Sequence, residues 1–498
     1  MDADRDRFLQ DFAALVQDLL RRPTAGPQDG TPLKLLLEEH LGRPLREVDV
    51  LTHQLPAHRL VDADIALDRL AEAGGGTART VGIAGGDERY HQSLVDLLSS
   101  SWGASVAVGA VDHRTAATGP TAVCRVVGLG VRLLSLDGTP VAVVQRGAVP
   151  HYGRPAASLE VLAPDWATAQ RLVERVTALM REHSVLRGQV LGFTASDYDP
   201  SSGGLTFLPR PDVARDDVVL PAGVLDAVEQ HVLHTDRQRA LLRRYGQHVK
   251  RGLLLHGPPG TGKTHLVRHL IGRASGATVI LLSGSAFAMI AEAAALARAL
   301  APAVVVLEDV DLVAADRGYT PGGNPLLFAV LDALDGLDAD ADVAFLMTTN
   351  RVDLLEEALV QRPGRVDLAV HIDRPGRPER ERLLRRYAAG IPVGEATVAR
   401  IADRSAGTTA SFMKELVRRA VLRAGRAGAD LEHGAVLDPH LEASAYELLE
   451  SAGDLTRAIL GGARGGAPEG EGTGGYVVEV GDHPAGQGEW FDATDGTH

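Results

Sequence analysis

Apolar residues recur at helical spacing over 4–22, where Phe8, Phe12, Val16, Leu19 and Leu20 share one side until Pro23 closes the segment. The same spacing predicts helices over 33–41, up to Gly42, and over 61–73, up to Gly74-Gly75-Gly76. The pattern then changes period. Residues 123–136 and 141–145 are rich in β-branched residues and meet at Asp137-Gly138-Thr139-Pro140, which predicts a hairpin. A short strand is expected over 158–162 and another over 189–193. Between them lies a helix over 166–183, with Trp166, Ala169, Leu172, Val173, Val176 and Met180 on one face. Residues 197–216 carry Pro200, Ser201, Ser202, Gly203, Gly204, Pro209 and Pro211 and read as a linker. Everything before it describes a helical and then α+β module.

Beyond the linker, three short apolar runs of buried-strand type stand out: 252–256, 278–282 and 303–307. A fourth, 343–347, runs into Thr348-Thr349-Asn350. The first run leads into Gly257-Pro258-Pro259-Gly260-Thr261-Gly262-Lys263-Thr264, followed by His265 and a helical pattern. That octapeptide fits G-x-x-x-x-G-K-[ST], and the strand and helix around it are the context in which the pattern carries chemistry. Backbone N–H groups converge there on an anion, the helix dipole favours negative charge, and the glycines admit phosphates close to the main chain. Lys263 is placed to reach phosphate oxygens and Thr264 to offer a hydroxyl to Mg²⁺. The run 303–307 ends at Glu308-Asp309, which delivers carboxylates to the crest of a parallel sheet. Asn350 ends its own strand with a polar amide, and Arg362 and Arg365 put two guanidinium groups on one turn, a geometry suited to phosphate oxygens.

Composition narrows the picture. The formal charge of −14 speaks against nucleic acid or an anionic membrane surface as the partner. Only Lys34, Lys250, Lys263 and Lys414 are lysines, so the lysine in the phosphate loop is conspicuous. The single cysteine, Cys124, excludes an internal disulfide framework, and His91, His113, His151 and His183 lack ligand-like spacing. The acidic start and the lack of a run of about 18 apolar residues lead us to expect a soluble cytoplasmic protein with no membrane segment. Residues 461–498, rich in Gly and acidic side chains, are expected to be disordered.

On these residues, the chain resembles the AAA family of ATPases within the AAA+ group. The motifs are the Walker A loop Gly257 to Thr264, the Walker B run ending at Glu308-Asp309, the sensor-1 Asn350, and Arg362-Pro363-Gly364-Arg365. The segment 326–337 looks like the helix and turn that the family places between Walker B and sensor 1. The resemblance implies an α/β fold: an AAA+ parallel-sheet nucleotide-binding domain over 211–375 and a small helical lid over 376–460, preceded by a separate domain over 1–210. It further implies ATP and Mg²⁺ as ligands, with the loop residues and His265 on the nucleotide, and Thr264 and Glu308 on the metal. Lys263, Glu308, Asp309 and Asn350 would carry the chemistry, with Arg362 and Arg365 as arginine-finger candidates acting across a ring interface. Family members typically form hexameric rings that remodel or thread proteins; here the substrate would be a protein chosen by 1–210.

Three departures stand beside the resemblance. The acidic pair runs Glu308-Asp309 and not Asp-Glu, as in the group that includes the mitochondrial Rieske-protein translocase, and the two roles are exchangeable on sequence alone. The path from Asn350 to Arg362 is one residue longer than usual, which leaves the choice between Arg362 and Arg365 open. The pore-loop region, Ser285 to Ala291, is short and lacks an aromatic-Gly pair, so Phe287 is as much a core candidate as a gripping one. An ATP-controlled assembly scaffold with slow turnover is the alternative. In the lid, Ser411 is the expected N-cap of the helix over 411–424, and Arg418 and Arg419 are expected to form a solvated face.

Overall fold

The structure, a computed structural model, describes residues 32–74, 79–99, 106–194, 204–233, 236–311, 341–352, 366–431, 436–451 and 479–480. The helix expected over 4–22, the segment 326–337, Arg362, Arg365 and all of the tail except 479–480 lie outside the described residues. The chain divides into two compact units, Met1–Pro209 and Arg210–His498.

In the first unit, seven strands pair antiparallel: β1 (Asp49–Leu55), β2 (Arg79–Ile83), β3 (Val108–Gly109), β4 (Asp112–Ala117), β5 (Val123–Leu136), β6 (Thr139–Arg146) and β7 (Ala157–Ala163). Their order is β1-β7-β6-β5-β2-β3, with β4 also on β5. Side-chain alternation sends Val141 and Val143 to one face, and Ala142 and Val144 to the other. Helices Leu60–Ala73 and Trp166–Glu182 cover the first face, and Leu33–Leu41 covers the second. The hairpin turn falls at Asp137-Gly138, both with positive φ (49° and 84°), as a two-residue turn between right-twisted strands requires.

The helix at Trp166 starts because the Asp165 side chain accepts the Thr168 N–H at 2.8 Å. Trp166 itself is 56% exposed, contrary to its expected place on the buried stripe. It sits in the first turn, ahead of the Ala169-Leu172-Val176-Met180 row that packs on the sheet. The segment expected as a linker is not wholly irregular: Gly204–Leu208 forms β9 and pairs antiparallel with β8 (Val190–Thr194). Its Leu205-Thr206-Phe207 alternation was hidden by the Ser, Gly and Pro residues around it.

Polar groups in this unit are buried in pairs. Asp64, on helix Leu60–Ala73, accepts from Gln145 Nε2 at 2.8 Å, from the Val127 N–H at 3.2 Å and from the Arg132 guanidinium. Burial, with the adjacent Arg59 charge, pushes the His58 imidazole down to about 4. The unfolded imidazole, near 6.5, takes up protons first, so the stabilisation is complete above pH 6.5 and declines as the pH falls toward 4. A His58→Gln variant, which carries no titrating group there, is expected to lose less melting temperature than wild type between pH 7 and pH 4. Equal losses would contradict the assignment.

In the second unit, β10 (Arg251–His256), β11 (Thr278–Ser283), β12 (Ala303–Glu308), β13 (Val343–Thr349) and β14 (Leu368–His371) are all parallel, in the order β14-β10-β13-β12-β11. The pair β15 (Glu479–Val480) adds antiparallel to β14. Val304, Val305, Val306, Leu307, Phe345 and Leu346 are all buried, as strands covered on both faces must be. Helices Lys263–Arg273 and Ile290–Ala299 connect the strands. Phe287 lies in the tight turn Gly284–Met289 and is fully buried, so it is a core residue. A separate core built on Leu383, Ile401, Phe412, Leu416 and Leu441 joins four lid helices: Arg377–Tyr387, Glu395–Arg404, Ala410–Arg426 and Asp438–Tyr446. Among the described residues, no helix is long and apolar enough to cross a membrane.

Candidate functional site

The loop Gly257–Gly262 joins β10 to helix Lys263–Arg273, and two of its glycines are there by necessity. Gly257 has φ 138°, and a Cβ on it would stand 2.3 Å from the Ile372 carbonyl oxygen. Gly260 has φ 77° and faces the lid: Ser411 N–H donates to its carbonyl at 3.1 Å, and a Cβ would meet Ser411 Oγ at 3.0 Å. The start of the lid helix Ala410–Arg426 is thereby seated on the phosphate loop. Its cap is Thr409, whose Oγ1 accepts the Phe412 N–H, and not Ser411; the Ser411 main chain is engaged with Gly260 instead.

A cleft of about 650 Å³ opens over this loop. Pro259, Gly260, Gly262, Lys263, Thr264 and His265 line one wall, and Asp309 and Asn350 reach it from the ends of two other strands. Thr261 is buried and donates from Oγ1 to the Pro258 carbonyl at 3.0 Å. Lys263 Nζ donates to the carbonyls of Gly257 and Pro258 at 2.7 and 2.8 Å. Burial lowers the Lys263 pKa, while the Asp309 and Asp311 charges oppose the shift. Glu308 sits one residue before Asp309 at the end of β12. Burial first, and then the Asp309 charge, raise its pKa, with Arg268 acting against both.

The strand order decides how these groups meet. Because β13 lies between β10 and β12, Asn350 stands between the loop and the acidic pair, and its Nδ2 lies 3.4 Å from Asp309 Oδ1. Asp311, which no motif marks, is buried. Its Oδ1 accepts from Thr349 Oγ1 at 3.0 Å and from the Asn350 N–H at 3.1 Å.

Further cleft residues escaped the sequence reading. Lys414 projects from the lid helix into the cleft; its neighbours Arg418 and Arg419 are both held by Glu415, whose carboxyl they pull down to about 2. Lysine scarcity was the available signal. At the other end, Tyr387 and Arg386 line the cleft, and Arg386 pairs with Asp217, tying the first lid helix to the segment before β10. Only folding brings positions so far apart in the chain together, so no motif marked them.

The donor set suits a magnesium nucleotide. A loop that tolerates no side chain at Gly257, a helix N-terminus, the Thr264 hydroxyl and the Asp309 carboxylate, with Glu308 one residue before it at the strand end, are hard-oxygen and N–H chemistry for phosphate and Mg²⁺.

Fold and site together define a phosphate-loop nucleotide-binding domain of α/β type with a helical lid. The family model for the ATPase family associated with various cellular activities (AAA) matches residues 253–374, and this part of the chain is an AAA-type ATPase domain. The chain is also similar to the ATP-dependent zinc metalloprotease FtsH 1 of Symbiobacterium thermophilum, 32% identical over 312 residues, or 58% of this chain and 50% of the relative. It is 33% identical to FtsH of Thermus thermophilus over 224 residues, covering 42% of this chain and 36% of the relative. For FtsH of Marinobacter nauticus the identity is 34% over 198 residues, 37% and 31% of the two chains. The chain spans half the length of these relatives or less.

Proposed function

We propose that this protein is a cytoplasmic, Mg²⁺-dependent ATPase that works in an oligomeric, hexameric ring and uses turnover to remodel a protein or protein complex selected by residues 1–210. The observation that carries the reading is the convergence of the phosphate loop, Asp309 and Asn350 on one cleft beneath a lid that is hydrogen-bonded to the loop. In it, the loop N–H groups and Lys263 hold the phosphates, and Lys414 adds a cation from the lid. Thr264 and Glu308 would hold Mg²⁺, which when bound neutralises charge on the phosphate oxygens. Asp309 takes a proton from the attacking water, and Asn350 orients the Asp309 carboxylate. Arg362 and Arg365 supply fingers to a neighbouring subunit's site. The peptidase activity in the relatives' names is not extended to this chain, which contains no His-Glu-x-x-His.

One observation favours the second reading, a scaffold that ATP assembles and that turns over slowly: Phe287, the aromatic residue of the pore-loop region, is core. Steady-state ATPase and ATP-affinity measurements on wild type and Lys263→Ala separate the two. Loss of the ammonium is expected to raise the ATP Kd at least about tenfold. Tight ATP binding with turnover near background in wild type sinks the remodelling reading and leaves the scaffold.

A further inference from the structure

Two non-glycine residues among the described ones have a left-handed backbone, Asp137 (φ 49°) and Asp309 (φ 54°). Asp137 is explained by its hairpin turn. Asp309 is not in such a turn: it directly follows the last residue of β12, at the point where that strand reaches the cleft. A strained conformation kept at a site needs something that holds it there. Here the holder is visible. The Asp309 N–H donates to Thr348 Oγ1 at 2.9 Å, and Thr348 is buried at the end of β13, directly after five apolar residues, Val343 to Met347.

The register shows why a hydroxyl is needed. The parallel pairing of β12 with β13 runs from Ala303↔Val343 to Leu307↔Met347 and then stops. Beyond that point no ladder partner is offered to the Asp309 amide, and Thr348, the next residue of β13, supplies a side-chain acceptor in its place. The Asp309 carboxylate is in turn met by Asn350 Nδ2, two residues further along the same strand end. An aspartate is one methylene shorter than a glutamate, so where its carboxylate lies depends more directly on where its backbone is held.

We propose that Thr348 is a positioning residue for Asp309. By accepting the Asp309 N–H it holds that residue in the left-handed conformation and thereby places the carboxylate for proton abstraction, without contributing to nucleotide binding. This rests on the ATP-hydrolysis reading above. In the step it serves, the oxygen of water bonds to the γ-phosphorus, one water proton passes to the Asp309 carboxylate, and the bond from the γ-phosphorus to the β–γ bridging oxygen breaks. ADP leaves with that electron pair.

The test uses the full-length chain and compares wild type, Thr348→Val, Thr348→Ser and Thr348→Ala for kcat, ATP Kd and melting temperature. Thr348→Val keeps the shape and removes the acceptor; it is expected to lower kcat at least about tenfold with Kd within about twofold of wild type. Thr348→Ser restores the acceptor and is expected to recover kcat to within about threefold of wild type. If Thr348→Val does not fold, Thr348→Ala makes the same comparison against Thr348→Ser. Hydroxyl-free variants that turn over like wild type overturn the proposal, as does a serine variant no faster than alanine, or a loss that falls equally on Kd and kcat. A wild type that binds ATP but does not hydrolyse it fails the ATPase reading itself, a different outcome.

Discussion

Asp309→Asn is expected to lower kcat for ATP by about 10²–10⁴-fold, the range a positioned general base contributes, with the ATP Kd within about twofold of wild type. The substitution is chosen for what it leaves alone. Asparagine has the same shape as aspartate and tolerates the left-handed backbone found at φ 54°, so the amide bond to Thr348 and the local fold survive. What is lost is the basic oxygen that faces Asn350. One side effect has a definite sign: the Asp309 charge is among the causes that raise the Glu308 pKa, so Glu308 becomes the stronger acid in the variant and remains available as a carboxylate. A variant with kcat within about threefold of wild type would move the water-activating role off Asp309. Glu308→Gln would then be expected to show the large loss, with the two roles exchanged.

The second large effect concerns stability and lies in the other unit. Asp64→Ala is expected to cost about 3–5 kcal/mol of unfolding free energy, read by urea denaturation. Asp64 Oδ1 serves Gln145, the Val127 amide and Arg132, all of them buried. Removing it leaves a guanidinium that is 3% exposed with Asp68, itself largely in water, as its remaining carboxylate. Set against a typical total of about 5–15 kcal/mol, that loss is a large share of what keeps a domain folded. Pairing the change with Arg132→Leu is expected to return part of it, because the buried charge goes with its partner. A loss under about 1 kcal/mol would mean that Asp68 or water takes over the guanidinium.

Most elements with strong period were legible. The helices over 33–41 and 61–73, the hairpin at Asp137-Gly138 and the lid helix Arg377–Tyr387 follow from spacing and turn chemistry. Strands with a mixed pattern were not. Asp49–Leu55 carries Asp49, Thr52, His53 and Gln54 and is a strand because β7 pairs with it along its whole length. Gly204–Leu208 was masked by the composition around it, and Trp166 was assigned to a buried stripe that begins only a turn later.

For the site, the sequence alone determined the phosphate loop: the order of glycines, lysine and threonine between an apolar strand and a helix states its chemistry locally, because the N–H groups, ammonium and hydroxyl that meet a phosphate and its metal all lie within one octapeptide. It also located the carboxylate pair and Asn350 at the ends of strands. It had no means of deciding that β13 inserts between β10 and β12, that Thr348 and Asp311 hold Asp309 and Asn350, or that Ser411 and Lys414 come over the loop from about 150 residues away. Those relations belong to strand order and lid docking, where the partners are set by which buried surfaces pack together and not by neighbours in the chain. The left-handed Asp309 is the sharpest case: its conformation depends on one hydroxyl of another strand, and only the assembled sheet brings the two within 2.9 Å.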